Sequence, residues 1–446
     1  MTDGPEVIVD DVSFRSRLAG QAAWVVAGQV VSAFGTLVGL RLVTEAVPPS
    51  VYGTVVLAVG IVALAQGIAV RPMMQAVLRY YPEYLRVSAQ QILRIIVTRM
   101  LRQPMLWLSV SLAVVLGVWA NEIHEGFVLG PLCAGLFVID VTRTVEVTFL
   151  NAAAKQRPMA QLVVADAWLR PMFAVLAVWV LGVSAAAVLG GYVVGAAIPV
   201  VALHAYGART EEARSSALSP EHARLGRSQL WLYARPLMLI PLIGWVSGQA
   251  DRFIVGSLIG LESAGLYAAI YALASRPYLM LGNAVELSLR QVYYTRVTEG
   301  DRFGQRRVLA AWIAVVFGGG TVLLVLIALL HRQVAALLLA PAYRAYSALM
   351  IWVGVGYTLA VCAQVVERVC YALHDTRGVF LIETGGAVFS VVVGVPMVMT
   401  YGVRGAAWAA PVYFGMQLLL AVGRATYSSR MAELASQFEG RSVTVV

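Results

Sequence analysis

The chain has 446 residues, 60% hydrophobic and 13% charged, with 33 Lys+Arg against 24 Asp+Glu and a formal net charge of +9. Its mean hydropathy is +0.77. Soluble globular chains carry roughly 25% charged residues, so this composition excludes a soluble domain and indicates an integral membrane protein.

Irregular backbone cannot face lipid, so apolar runs of about 20 residues specify transmembrane helices, and the short alternating segments of a β-barrel do not occur. Residues 1–17 are acidic before two arginines and precede an apolar run too long for a secretory leader, which reads as a cytoplasmic tail. Helices are then expected at 18–44, 51–80, 98–120, 127–154, 158–182 and 185–206, forming an N-lobe over 18–206. A polar stretch, GARTEEARSSALSPEHARLGRS at 207–228, reads as a cytoplasmic linker. Further helices at 229–257, 263–293, 307–330, 344–373, 377–400 and 403–428 form a C-lobe over 229–428, with a tail at 429–446. The expected architecture is an all-α integral membrane fold of about 12 spans in two six-helix lobes. Loops on one side, with both tails, hold roughly 19 of the 33 Lys+Arg, which places both termini in the cytoplasm. The halves also echo one another. RLVTEAVPPSVYGTVVLA (41–58) resembles RFIVGSLIGLESAGLYAA (252–269), and Arg79-Tyr80-Tyr81 matches Arg290 with Tyr293-Tyr294. With an even number of spans per half, the repeat is parallel, about an axis along the membrane normal.

Several functions are set aside by what the sequence lacks. The positive charge is accounted for by topology and anionic lipid, so nucleic acid is not an expected partner. Cys133, Cys362 and Cys370 all fall in apolar runs and read as buried thiols, and the five histidines have no ligand spacing, so no metal centre or cofactor is expected. ATP is excluded as an energy source, because a P-loop needs Gly-Lys-Ser/Thr and the only lysine, Lys155, lies between Ala154 and Gln156. The outer loops are too short for the usual polymerase, ligase or acyltransferase site, which leaves a membrane-embedded polymerase or ligase as the lesser alternative.

The informative residues are the charges inside the apolar runs. Among the arginines within the expected helix limits are Arg41, Arg71, Arg79, Arg143, Arg170, Arg235, Arg252, Arg276, Arg290, Arg368 and Arg424. The carboxylates there are Asp140, Glu146, Asp166, Asp251, Glu286, Glu367 and Glu383. A charge at a helix centre costs roughly 2.5–3.5 kcal/mol on insertion scales, so such groups line a cavity or find partners. Arg41, Arg79, Arg290 and Arg424 sit near helix ends, within reach of headgroups. Asp166 with Arg170, Glu286 with Arg290, and Asp140 with Arg143 and Glu146 have the spacing of one helix face and can neutralise one another. Arg71, Arg235 and Arg276 are left without local partners. Within the expected helix limits four arginines precede a proline, at Arg71-Pro72, Arg170-Pro171, Arg235-Pro236 and Arg276-Pro277. Proline removes a helix hydrogen bond and bends the span, so these pairs are expected at kinks that open toward a wet interior. Arg71, Arg170, Arg276, Arg235 and Arg143 are therefore the candidate binders of an anionic headgroup. Asp140, Glu146, Asp166, Asp251 and Glu286 are candidates for coupling to Na+ or H+.

The segments RLVTEAVPPSVYGTVVLAVGIVALAQGIAVRPMMQAVLRYYPEY and GQADRFIVGSLIGLESAGLYAAIYALASRP resemble the Wzx-type polysaccharide flippases of the multidrug/oligosaccharidyl-lipid/polysaccharide (MOP) exporter superfamily. The resemblance runs over nearly the whole chain, with DRFIVG and GLY its most specific pieces. It implies a secondary transporter, not an enzyme, in the bacterial cytoplasmic (inner) membrane. Its cargo would be an undecaprenyl-pyrophosphate-linked oligosaccharide for lipopolysaccharide or exopolysaccharide synthesis, moved by alternating access through a cationic cavity between the lobes. Membrane lipid, a polysaccharide polymerase and chain-length machinery are the implied partners. A cation-coupled drug antiporter of the same superfamily is the alternative, and it calls for an acidic or aromatic cavity.

Overall fold

The computed structural model describes residues 11–210 and 220–442, so the middle of the expected linker and both chain ends lie outside the described residues. The helices are α1 (Asp11–Ala46), α2 (Pro49–Ala69), α3 (Arg71–Arg86), α4 (Gln90–Glu122), α5 (Leu129–Ala152), α6 (Gln156–Leu181), α7 (Ala185–Thr210), α8 (Pro220–Ala234), α9 (Leu239–Leu258), α10 (Leu261–Thr298), α11 (Arg302–Leu338), α12 (Leu349–Ala372), α13 (Thr376–Tyr401) and α14 (Val403–Ser442). No strand occurs among the described residues. Each expected span has its counterpart, and two of them are interrupted where an Arg-Pro pair falls. The second span breaks at Val70, and α3 restarts with Arg71-Pro72 in its first turn. The seventh breaks at a 3-10 turn, Arg235–Met238, between α8 and α9. Pro171 and Pro277 instead lie inside the continuous helices α6 and α10. A proline is tolerated without a break only where neighbouring packing compensates the lost hydrogen bond.

Ten helices among the described residues are long and apolar enough to cross a membrane. Together with the all-helical fold, this makes the chain a multi-pass membrane protein. The two expected spans outside that set are α5 and α10, which carry the polar load: Asp140, Arg143 and Glu146 on α5, Arg276 and Glu286 on α10. The outward surface is correspondingly apolar. Trp179, Leu329 and Met399 are 84%, 70% and 70% exposed, an arrangement that water would penalise and hydrocarbon does not.

The described residues part into two compact units. One comprises α1 and Ile61–Met238; the other comprises Val47–Gly60 and the chain from Leu239 onward, so that α2 is divided between them. In the first unit α6 lies between α1 and α7, while α5 packs on α4, α7 and α3. Glycines permit the approach to α6 around its Arg170-Pro171 pair. A Cβ on Gly39 of α1 would stand 2.5 Å from Pro171 Cγ, and one on Gly195 of α7 would stand 2.7 Å from the Arg170 Cα. Without a hydrophobic drive between helices in lipid, such close contact is the main source of cohesion.

In the second unit α12 is central, packed on α14, α11 and α10, and α13 bridges α14 and α9. The repeat-related tyrosine-glycine segments meet here. A Cβ on Gly53 of α2 would lie 1.9 Å from the Leu261 carbonyl oxygen, and one on Gly265 of α10 would lie 1.9 Å from that of Pro49. Each glycine thus accepts the other helix's backbone. The Trp245 indole donates to the Gly60 carbonyl at 2.7 Å and fastens the same stretch of α2 to α9. Two helices start alike, with Asp301 and Asp375 accepting from the Gly304 and Gly378 N–H groups, each at 2.9 Å, as N-caps. Asp375 also takes a two-pronged bond from Arg424 of α14, at 2.7 and 2.9 Å, and a bond from Ser428.

Two expected outcomes follow from this packing. Gly53→Val should destabilise the protein by about 1–3 kcal/mol through overpacking against backbone that cannot yield, read as a lower melting temperature in detergent. The Arg424 guanidinium, with Ser428 and the Gly378 N–H, holds the Asp375 carboxyl well below the usual carboxylate range. A carboxyl depressed in this way adds stability above its unfolded value, lost as the pH falls through the folded one. Asp375→Asn should therefore melt below wild type at neutral pH, and the difference should shrink as the pH is taken well below about 4.

Candidate functional site

In the first unit the charges of α5 and α6 form one closed group. Arg170 of α6 bonds Asp166 on its own helix at 2.7 Å and Asp140 of α5. Arg143 of α5 reaches Asp166 at 3.3 Å and Asp140 at 3.6 Å. All four side chains are less than a quarter exposed, at 17% and 23% for Arg170 and Arg143 and 11% and 13% for Asp140 and Asp166. Two guanidiniums face two carboxylates, and the group is formally neutral. Gln66 of α2 ties into it, donating to the Thr144 hydroxyl at 2.8 Å and to the Asp140 carbonyl at 3.1 Å. The Arg143 Nε remains buried without a hydrogen bond.

Glu146 leaves this group. The expected Asp140-Arg143-Glu146 face does not close on itself, because Glu146 is taken by Arg94 of α4 and by His204 of α7, the latter at 3.2 Å. Arg94 also stands over the Phe149 ring at 5.8 Å. Arg94 was outside the expected limits of its span, since α4 begins a full two turns earlier than the apolar run, and His204 gave no signal at all in the absence of a partner spacing.

In the second unit Asp251 of α9 is 8% exposed and satisfied by neutral donors. The Tyr267 hydroxyl and the Arg252 backbone N–H each donate to it at 2.8 Å. The Arg252 guanidinium turns elsewhere, 4.3 Å from the Tyr271 ring centroid and donating to the Gly248 carbonyl at 3.3 Å. Tyr271 accepts from the Tyr357 hydroxyl at 2.9 Å. The aromatic spacing that builds this cluster sits inside the GLYAAIYALASRP segment, where the tyrosines are four residues apart on one face of α10. Glu286 of α10 is shared by Arg290 at 3.1 Å and Arg368 of α12 at 3.2 Å.

The arginines near helix ends prove to have carboxylate partners: Arg41 with Glu45 at 2.5 Å, Arg79 with Glu83 at 3.0 Å, Arg424 with Asp375 at 2.7 Å. Of the candidate headgroup binders, then, Arg143 and Arg170 sit together in the neutral group. Arg235 is exposed in its 3-10 turn, and Arg71 is exposed at the start of α3, and neither has an ion pair among the described residues. Arg276 is exposed on α10, and no carboxylate acts on it; the groups that do are Tyr52 and Arg252.

No protein-family model and no curated protein sequence matches the chain. Solved structures do. A multidrug resistance MATE family transporter of the MOP superfamily, in an inward-facing conformation, superposes with a TM-score of 0.70 at 15% identity, over 91% of this chain and 96% of its own. The lipid II flippase MurJ, in an inward closed conformation, superposes at 0.68 with 12% identity, over 96% and 93%. A MOP superfamily transporter from Pyrococcus furiosus, described by the reverse polarity of its binding pocket, superposes at 0.54 with 14% identity, over 93% and 94%. At this identity the likeness is one of fold, and it bears out the expected all-α membrane architecture over nearly the whole chain.

Removing one member of the neutral group should be costly. Asp140→Asn leaves two buried guanidiniums with one carboxylate and should destabilise by about 3–5 kcal/mol. Asp140→Asn with Arg170→Gln should cost less than the sum of the two single changes, as read from melting temperatures in a double-mutant cycle.

Proposed function

We propose that the chain is a flippase of the MOP superfamily that carries a polyprenyl-pyrophosphate-linked oligosaccharide across the bacterial cytoplasmic membrane for surface polysaccharide synthesis. The observation that carries this reading is the uneven pairing of intramembrane charge. Carboxylates neutralise Arg143 and Arg170, whereas Arg71 and Arg276, both exposed and both beside a proline, have no ion pair among the described residues. A permanently charged group left open within an apolar span is stabilised by an anion, and a guanidinium matches phosphate oxygens in planar, two-pronged fashion. In this reading Arg276 of the second unit receives the pyrophosphate, Arg71 and Arg235 of the first unit each offer an open guanidinium to anionic cargo, and Arg143 and Arg170 hold the geometry of α5 and α6. The lipid tail stays in hydrocarbon while the headgroup passes. MurJ, whose fold the chain shares, is itself a flippase of a lipid-linked precursor, lipid II.

The drug-antiporter alternative needs an open acidic or aromatic pocket. The aromatic cluster around Asp251 in the second unit is instead packed shut, with Tyr267, Tyr271 and Tyr413 at 0%, 1% and 2% exposure. This favours the anionic cargo.

The test is reconstitution into proteoliposomes with a labelled polyprenyl-pyrophosphate oligosaccharide, following its exposure to an external glycosidase. Wild type should move the lipid. Arg71→Ala and Arg276→Ala should each slow it by about tenfold or more, and Lys at either position should restore only part of the rate if two-pronged contact is used. Unchanged rates in both alanine variants, or transport of cationic dyes in preference to the lipid, would sink the proposal.

A further inference from the structure

The second unit contains a cavity that the headgroup reading does not use. It has a volume of about 650 Å³ and lies where α10 and α12 end, α11 begins and residues 422–430 of α14 pass. Small-molecule sites commonly enclose about 300–1,000 Å³. The chain turns from α10 into α11 at Gly300, whose φ is +70°, and Asp301 caps the new helix through the Gly304 N–H. That turn sets Arg302 and Arg306, one helical turn apart, on the face of α11 that lines the cavity.

The lining changes character along the helix axes. On α11 the two arginines are followed by Leu309 and Ile313 on the same face. On α14 the apolar Val422 comes first and Arg430 last, with the Thr426 and Ser429 hydroxyls between them. α14 is fixed at this level by Arg424, which binds Asp375 just beyond the end of α12 at 2.7 Å. Because α11 leaves this end of the unit and α14 arrives at it, opposite orders in the sequence give one order in space. Cations and hydroxyls stand at the membrane face, and hydrocarbon lies inward. Val366 and Val369 of α12, both buried, close the apolar part. Tyr427, exposed beside Thr426, marks the level of the membrane–water boundary, where such rings collect.

The charge around the cavity has one sign. No carboxylate among the described residues lines it. The acidic groups close by in the chain are held elsewhere, Glu299 and Asp301 by Arg296 at 3.4 and 3.3 Å and Asp375 by Arg424. Arg430 has no ion pair among the described residues. A guanidinium carries five N–H groups, so Arg302 and Arg306 can share in holding an anion whatever else they meet. Basic pockets between spans suit anionic lipid headgroups. A free phosphate would use the arginines and leave the apolar half of the cavity unfilled, whereas a phospholipid satisfies both halves.

We propose that this cavity binds an anionic phospholipid of the surrounding membrane, with its phosphate on Arg302, Arg306 and Arg430 and an acyl chain along Leu309, Ile313 and Val369. The lipid comes from the leaflet on the side of the basic loops. Bound there, it ties the ends of α10, α11, α12 and α14 together and stabilises the second unit by mass action. The site does not depend on the cargo reading, because Arg71 and Arg276 take no part in it.

The experiment uses the full-length protein in detergent micelles with dioleoylphosphatidylglycerol carrying a diazirine in one acyl chain, and labelled peptides are mapped by mass spectrometry after illumination. Label should concentrate on the peptides that contain Leu309, Ile313 and Val422. Unlabelled dioleoylphosphatidylglycerol should compete for it, and dioleoylphosphatidylcholine should need about tenfold or more higher concentration. Arg306→Gln with Arg430→Ala should weaken the competition by about tenfold or more, while Arg307→Ala, an equal loss of charge beside the lining, should leave it unchanged. The lipid should also raise the melting temperature of wild type and not that of the double variant. The wild-type map and competition decide the matter by themselves where the double variant fails to fold. Label spread evenly over the apolar surface, equal competition by phosphatidylcholine, or an equal loss in Arg307→Ala overturns the proposal. Displacement by millimolar inorganic phosphate overturns it in favour of a free anion. Displacement by a polyprenyl-pyrophosphate oligosaccharide, in preference to phosphatidylglycerol, overturns it in favour of the cargo. Slow lipid flipping in Arg71→Ala and Arg276→Ala bears only on the cargo reading, and the labelling map bears only on this site.

Discussion

The constraint on which the whole arrangement depends is the cost of an ionised side chain in a medium that cannot solvate it. Each guanidinium or carboxylate inside a span must meet an opposite charge, a ring face, a backbone carbonyl or a ligand. The protein uses opposite charge, ring faces and backbone carbonyls. Asp140, Asp166, Arg143 and Arg170 close on one another across α5 and α6. Arg252 lies on the Tyr271 face. Asp251 relies on neutral donors. Among the described residues Arg71 and Arg276 have no ion pair, and the functional proposal comes from that short remainder.

The two units solve the problem differently. The first gathers its charges into a formally neutral group and anchors it with Gln66 from α2 and with glycine contacts along α6. A group so enclosed is rigid, because each partner is held from two directions. The second unit distributes its charges along α9, α10, α12 and α13 and leaves some locally unmatched: Arg276 is exposed with no ion pair among the described residues, and Glu367 buries a carboxylate oxygen without a hydrogen bond. Local imbalance of this kind is what allows a site to prefer one occupancy in one conformation and another in the next.

Most of the fold was legible in the sequence, for a physical reason. Twelve long apolar runs leave a chain little choice but a helical bundle, and basic loops and Gly/Pro breaks mark where the runs end. The Arg-Pro pairs were legible as kinks, but not which of them would break the helix: Val70 and Arg235 mark interruptions, while Pro171 is held inside α6 by neighbours contributed from α1 and α7. Local charge pairs were legible at a spacing of three or four, as for Asp166 with Arg170 and Glu286 with Arg290. The partners from other helices were not. Arg94 and His204 on Glu146, Asp140 on Arg170, and Arg424 on Asp375 depend on which helices become neighbours, and periodicity along one strand of chain carries no information about that.

The seating of Pro171 against Gly39 has a consequence for how such a protein changes over generations. A residue on α1 with no charge and no contact with any cargo sets the space available to the bend in α6, and thereby the aim of the Arg170 side chain beside it. Variants with altered cargo preference would then be found as readily by adding or removing a methyl group at that seam as by altering the arginines themselves, and lineages would be expected to exchange bulk between those two positions in concert.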